Sequence, residues 1–255
     1  MKFIRLNNVE VEFALERSPT GQQTILNRVL GIHNPRDNLK FRALHDVNLE
    51  ISEGDRLGLI GRNGAGKTTL LKVISGILPP STGTVNVSGQ VNALLNLGTG
   101  MDGDLSGYET IYVRGSLLGI RPKEMDVKAE EIVNFANIGE FIHQPVSTYS
   151  AGMFLRLGFA IATAIEPEIL VLDEVYEAGD AAFKERSRIR IESFIARGNI
   201  VVLATHSTAS IVKYCNKVAW LEKGTVVKFG SARDVVPLFQ EGMGITPSPA
   251  DSFIN

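Results

Sequence analysis

A single cysteine, Cys215, stands among the 255 residues, so no intrachain disulfide can form, which fits a reducing compartment. Neither sign of charge is in excess. Lys and Arg number 26 against 28 Asp and Glu, a net charge of -2 at pH 7. That excludes a generally basic nucleic-acid binder and leaves room only for a local basic patch. No apolar stretch approaches the ~20 residues needed to span a bilayer. The N-terminus, MKFIRLNNVEVEF, has no apolar signal core; it alternates apolar and polar residues and reads as a strand. Repeats, low-complexity segments and heptad runs are missing too. These shortages predict a cytoplasmic chain whose role at a membrane must run through a partner.

The composition that remains is that of an ordinary globular protein, with 44% hydrophobic and 21% charged residues. At roughly 150 residues per domain, the length suits one large domain or one domain with a subdomain. Short apolar runs recur at Leu57 to Ile60, Ile169 to Leu172, Ile200 to Ala204 and Val218 to Leu221. Runs bounded by charge or Gly and too short for helices suit strands buried on both faces of a helix-covered parallel sheet. Helical patterns lie between them: Thr68 to Leu78, the spacing of Met125, Ala129, Ile132, Val133 and Ala136, and the apolar stretch Phe154 to Ile165. The alternation predicts an α/β doubly wound core. Thr99 to Tyr149 breaks that rhythm and reads as an inserted helical unit. Gly244 to Asn255 lacks periodicity and reads as a loose tail.

Residues 61–68 read GRNGAGKT, in which Gly61, Gly66, Lys67 and Thr68 fill the G-x-x-x-x-G-K-[ST] pattern around Arg62, Asn63, Gly64 and Ala65. Glycines let a backbone wrap closely around phosphates and aim its N–H groups at them. Lys67 is placed to bridge β- and γ-phosphates and Thr68 to hold Mg²⁺, while the helix opening at Thr68 and Thr69 turns its positive end to the same anion. Further on, ILVLDE ends an apolar strand in two carboxylates, at the strand end where open α/β sheets hold ligands. Asp173 suits the Mg²⁺ shell, and Glu174 is placed to orient and deprotonate an attacking water.

In this order the motifs resemble the ATP-binding subunit of ABC transporters. Tyr149-Ser150-Ala151-Gly152-Met153 stands before an apolar helix and then ILVLDE, where that family carries an LSGGQ-like signature. The resemblance covers residues 3 to 235. It implies a P-loop NTPase (RecA-like) α/β core with a mixed sheet, an N-terminal antiparallel β-subdomain and an inserted α-helical subdomain. It makes His206, after IVVLAT, the switch histidine that contacts the γ-phosphate, and Ala178-Gly179-Asp180 the D-loop. Phe13 becomes the aromatic that stacks on adenine, with Phe41 as the alternative. It implies an ATPase core over residues 1–98 and 155–240 with an insertion at 16–42. A helical subdomain with the signature occupies 99–154 and a C-terminal tail 241–255. Since Ser150, Ala151, Gly152 and Met153 would serve the ATP held by another subunit, it also implies a head-to-tail homodimer with two ATP.

Departures from the common pattern narrow the likeness. Asn96 stands where ordinary members carry Gln, one methylene shorter in its reach toward Mg²⁺ or the attacking water. Together with YSAGM in place of LSGGQ and A-G-D in the D-loop, this looks like the exporters of O-antigens, capsules and teichoic acids on lipid carriers. The 16–42 insertion agrees: Ile25, Leu26, Val29 and Leu30 form an apolar stripe, and Arg17, Arg28, Arg36, Lys40 and Arg42 make it basic. In that subfamily a similar insertion forms a helix near the membrane entrance; an amphipathic helix packed on its own domain fits the same pattern. The chain ends soon after the core, as in members that do not read a terminal sugar cap through an added domain. The implied partners are a second copy of the chain, a multi-spanning permease and, through it, a lipid-linked polysaccharide, with no nucleic acid. The implied place is the cytoplasmic face of the bacterial inner membrane, held peripherally. Leu97, Met101, Leu105, Tyr108 and Tyr112 are candidates for the permease groove or for the subdomain's own core. Another ABC transporter class and a soluble ABC ATPase are the alternatives. A GTPase is discarded because Asn216-Lys217-Val218-Ala219 lacks the Asp of a guanine-reading motif.

Overall fold

Two sheets share one helix. A computed structural model describes residues 1–15, 39–95, 97, 101–173, 180–197 and 199–244. The first sheet, ordered β2-β1-β4, is antiparallel and built from β1 (Phe3–Leu15), β2 (Leu39–Ser52) and β4 (Thr82–Ser88). The second runs β5-β6-β7-β3-β8-β9, from β3 (Arg56–Ile60), β5 (Val91–Leu94), β6 (Ile169–Leu172), β7 (Ile200–Ala204), β8 (Lys217–Glu222) and β9 (Thr225–Ser231). Its strands pair in parallel except β8 with β9.

The period of two in each apolar run explains the layering. Leu57, Leu59, Ile169, Val171, Ile200 and Val202 face one way and bury against α1 (Lys67–Ile74) and the first sheet. Ile60, Leu170, Leu172, Val201 and Leu203 face the other way, against α4 (Ala151–Ala162), α5 (Ala181–Ala196), α6 (Thr208–Tyr214) and α7 (Ala232–Met243). Both faces are apolar because both are covered, which is why these strands read as unbroken hydrophobic runs.

A third core holds the helices between β5 and β6. Ser106 caps α2 (Gly107–Leu117) in a capping box with Glu109, and Pro122 opens α3 (Pro122–Ala136). Met125, Ala129, Ile132 and Ala136 bury one face of α3. Leu157, Ala160 and Ile161 of α4 join this core, whereas Phe159 and Ala162 of the same helix join the sheet core. Helix α4 belongs to both, so the expected boundary at 154/155 falls inside a helix. Arg190 of α5 closes the seam, with its guanidinium 4.6 Å from the Phe135 ring centre and paired with Glu131 at 2.9 Å.

Several ends differ from the sequence expectation. Helix α1 stops at Ile74 instead of Leu78, at Ser75 and the left-handed Gly76. Residues 39–42 of the expected insertion belong to β2, while 16–38 with the apolar stripe lie outside the described residues. Residues 241–243 of the expected tail are the end of α7, closed by the left-handed Gly244. Among the described residues, no helix is long and apolar enough to cross a membrane.

Candidate functional site

Strands β6, β7 and β3 are neighbours running the same way, so their C-terminal ends meet on one edge. Asp173 follows β6, His206 follows β7 after Thr205, and Gly61 follows β3. Such an edge is where open α/β sheets hold ligands. The loop from Gly61 to Gly66 turns there and delivers Lys67 as the first residue of α1. Gly66 has φ 105°, a conformation that L side chains rarely adopt, and a Cβ on it would lie 2.9 Å from the Ala43 carbonyl. The loop is also tied down from outside: Gly224 N–H donates to Ala65 O at 2.9 Å, and His45 N–H to Gly224 O at 2.8 Å.

Lys67 is 8% exposed, and its ammonium donates to Gly61 O at 2.7 Å and to Arg62 O at 3.3 Å. A lysine this buried needs such partners. Thr68 Oγ1 donates to Asp173 Oδ2 at 3.0 Å. The hydroxyl and the carboxylate are hard oxygen donors side by side, a set that fits Mg²⁺. His206 is held in a fixed turn, in which Ser207 N–H donates to Thr205 Oγ1 at 3.0 Å and Ser207 caps α6.

These residues surround one open cavity of about 620 Å³. Its lining contains every position from Arg62 to Thr69, together with Asp173, His206, Phe41 and Ala43. Phe13 is not part of that lining. It pairs directly with Phe41 across the hairpin, so the two rings share a face, with Phe41 at the cavity. Ala43, the extra residue of β2 where the register with β1 shifts between Val11 and Glu12, also lines the cavity, and nothing in the sequence marked it.

Other expected site residues lie elsewhere. Ser150 caps α4, its hydroxyl accepting from Met153 N–H at 3.3 Å. None of Ser150, Ala151, Gly152 and Met153 lines the cavity. Asp180 caps α5, accepting from Phe183 N–H at 2.8 Å, and forms an ion pair with Arg156 of α4. That amide bond first, with Arg156 in support, holds the Asp180 carboxyl below the usual carboxylate range. The pair joins the helix that opens at Ala151 to the helix that opens at Ala181, and nothing in the sequence marked it. Glu174, Gly179 and Asn96 lie outside the described residues. Beside Asn96, the carbonyl of Leu97 accepts from Arg114 of α2 at 2.6 Å. Leu97 is buried, Met101 and Tyr112 pack on the third core, and Tyr108 is exposed. Cys215 is buried among apolar neighbours, which push its thiol up to about 12.

The family model described as ABC transporter matches residues 44–177. The O-antigen export system ATP-binding protein RfbB of Klebsiella pneumoniae is 39% identical over 80% of this chain and 83% of that protein. The chain belongs to the ABC transporter family. It is an ATP-binding, ATP-hydrolysing cassette. RfbB of Myxococcus xanthus is 38% identical over 92% of this cassette, which spans 54% of that longer relative. The teichoic acids export ATP-binding protein TagH of Levilactobacillus brevis is 38% identical over 93% of the cassette and 64% of its own length. In fold, the cassette is similar to the dimeric post-hydrolysis state of the ATP-binding cassette MJ0796 bound to ADP and Pi. The TM-score is 0.69 at 20% identity, over 90% of this chain and 98% of that one.

Proposed function

We propose that this cassette powers export of a lipid-linked bacterial surface polysaccharide of the O-antigen or teichoic-acid class. It would work as a peripheral homodimer on a multi-spanning permease at the cytoplasmic face of the inner membrane. The observation that carries the chemistry is the gathering of Lys67, Thr68, Asp173 and His206 around one cavity beneath the 61–66 loop. The relatives' names and the departures at Asn96, YSAGM and A-G-D support the class of cargo.

The roles follow from charge and position. The 61–66 backbone and Lys67 bind the β- and γ-phosphates of ATP. Thr68 and Asp173 would hold Mg²⁺, a shell to which the resemblance would add Asn96; the ion would supply neutralisation of phosphate charge. Glu174 takes a proton from the attacking water, and His206 holds the γ-phosphate end. Phe41, with Phe13 beside it, offers the adenine a ring face. Ser150, Ala151, Gly152 and Met153 stand at a helix start away from this cavity, which supports their serving the partner's nucleotide. Gly179 and Asp180 keep the D-loop role that the resemblance implies.

The test is a pull-down of tagged Glu174→Gln from detergent-solubilised membranes with ATP present. A multi-spanning protein recovered in equal amount is the expected result. A dimer without a membrane partner, or ribosomes in its place, would overturn export.

A further inference from the structure

The β1–β2 hairpin outruns its sheet. Strand β4 pairs with β1 only as far as Glu10 with Thr82, whereas β1 and β2 stay paired out to Leu15 with Leu39. Among the described residues the ribbon from Glu12 outward is two strands wide, and a two-stranded ribbon is marginal on its own. Yet this ribbon carries Phe41 at the cavity, with Phe13 opposite.

Glu12 stands where the third strand gives out. Its backbone N–H donates to Ser81 Oγ at 2.9 Å, just before β4 begins. One carboxylate oxygen accepts from Lys40 Nζ at 2.8 Å, and the other from Arg42 Nε at 2.7 Å. Lys40 and Arg42 are the two residues on either side of Phe41, and the period of two puts both on the face opposite its ring. The Glu12 side chain is only 17% exposed, although its partners are 64% and 51% exposed. One carboxylate thus spends both oxygens on the neighbours of a single aromatic residue, while its own backbone is pinned to the wider sheet.

We propose that Glu12 is a positioning residue for nucleotide binding: by clasping Lys40 and Arg42 it holds Phe41 between them as the platform for the adenine base. This rests on the reading of Phe41 as that platform. A long side chain anchored at both flanks cannot swing the ring away, so less order has to be gained when the base arrives.

The experiment measures binding to the full chain by displacement of a fluorescent ATP analogue, with ATP and tripolyphosphate as competitors. Glu12→Ala should weaken ATP about three- to fivefold, the scale of exposed ion pairs, and leave tripolyphosphate unchanged, because the latter has no base. Phe41→Ala should weaken ATP about tenfold or more. The double variant Glu12→Ala/Phe41→Ala should be no weaker than Phe41→Ala, since Glu12 acts through that ring. Lys40→Ala/Arg42→Ala, which removes both partners at exposed positions, should reproduce Glu12→Ala and covers the case in which the latter does not fold. Unchanged ATP affinity in these variants beside a weakened Phe41→Ala would overturn the role of Glu12. So would equal losses for ATP and tripolyphosphate, or additive effects in the double variant. Unchanged affinity in Phe41→Ala would instead remove the platform itself.

Discussion

The ammonium of Lys67 is buried and rests on carbonyls of its own loop, Gly61 and Arg62, so the loop is shaped around a fixed positive charge before any anion is considered. A phosphate that enters this loop meets a donor that needs little reordering, which is how pre-organised charge gains affinity. Removing one partner of a buried charged pair costs about 2–5 kcal/mol. Lys67→Ala is therefore expected to weaken ATP on the order of 10²- to 10³-fold in equilibrium binding. Asp173 differs in kind. It accepts from Thr68, and as a hard anionic donor it would place the metal. Asp173→Asn keeps the shape and loses the charge, so hydrolysis should fall about 10–100-fold and the Mg²⁺ concentration for half-maximal rate should rise. A variant with normal Mg²⁺ dependence would take Asp173 out of the metal shell.

At the scale of elements, a cluster of charges joins α5 to α6. Glu192 of α5 accepts from Lys213 Nζ at 2.9 Å, from the Tyr214 hydroxyl at 2.9 Å and from Arg188 at 2.7 Å. Lys213 above all, then Tyr214 and Arg188, hold the Glu192 carboxyl down to about 2 from an ordinary 4.5. The folded value is the lower one. The stabilisation is therefore complete above pH 4.5 and is lost as pH falls toward 2. Lys213 is largely exposed, so solvent screens part of it and the pairs are worth about 0.2–1 kcal/mol each. Glu192→Gln should lower the thermal midpoint by about 2–4 °C at neutral pH and lose less on acidification than the native chain. Parallel loss in both proteins between pH 5 and 2.5 would show that other carboxylates govern acid unfolding. The links from Lys213 and Tyr214 to Glu192 were invisible in the sequence because they join two helices whose packing the chain order does not state. The central strands were legible for the opposite reason: burial on both faces writes itself as an apolar run. Register is intermediate. The family resemblance offered Phe13, with Phe41 as the alternative. Which of them lines the cavity depends on a hairpin whose register shifts between Leu6 and Val9, Val9 and Val11, and Val11 and Glu12. Each bulge changes which residues face the cavity, and nothing local in the sequence counts them.

At the scale of the whole molecule the question is whether the start of α4 serves a nucleotide held by a second chain. The start of α4 presents Ser150 as a cap and Gly152 with open space above it; a Cβ there would come no closer than 3.9 Å to Ser150 Oγ. Gly152→Asp should therefore fold, and an acidic residue in a helix's first turn is favourable in itself. If a partner's nucleotide docks on this surface, however, the new carboxylate faces phosphate, and hydrolysis should be lost with the fold intact. Lys67→Ala fails for the complementary reason, in the cavity of its own chain. If the site is composite, the two variants separate its halves. Neither homodimer then contains an intact site. A heterodimer contains one, made from the Lys67 loop of the Gly152→Asp chain and the α4 start of the Lys67→Ala chain. Random assortment of equal amounts makes about half the dimers mixed, each with one good site of two, so the mixture should regain about a quarter of native ATPase activity. If each chain completed its own site, mixing would restore nothing beyond the two residual rates. The recovery is to be measured after co-refolding or co-expression with two tags, so that the mixed dimer can be isolated and its single site counted by trapped nucleotide.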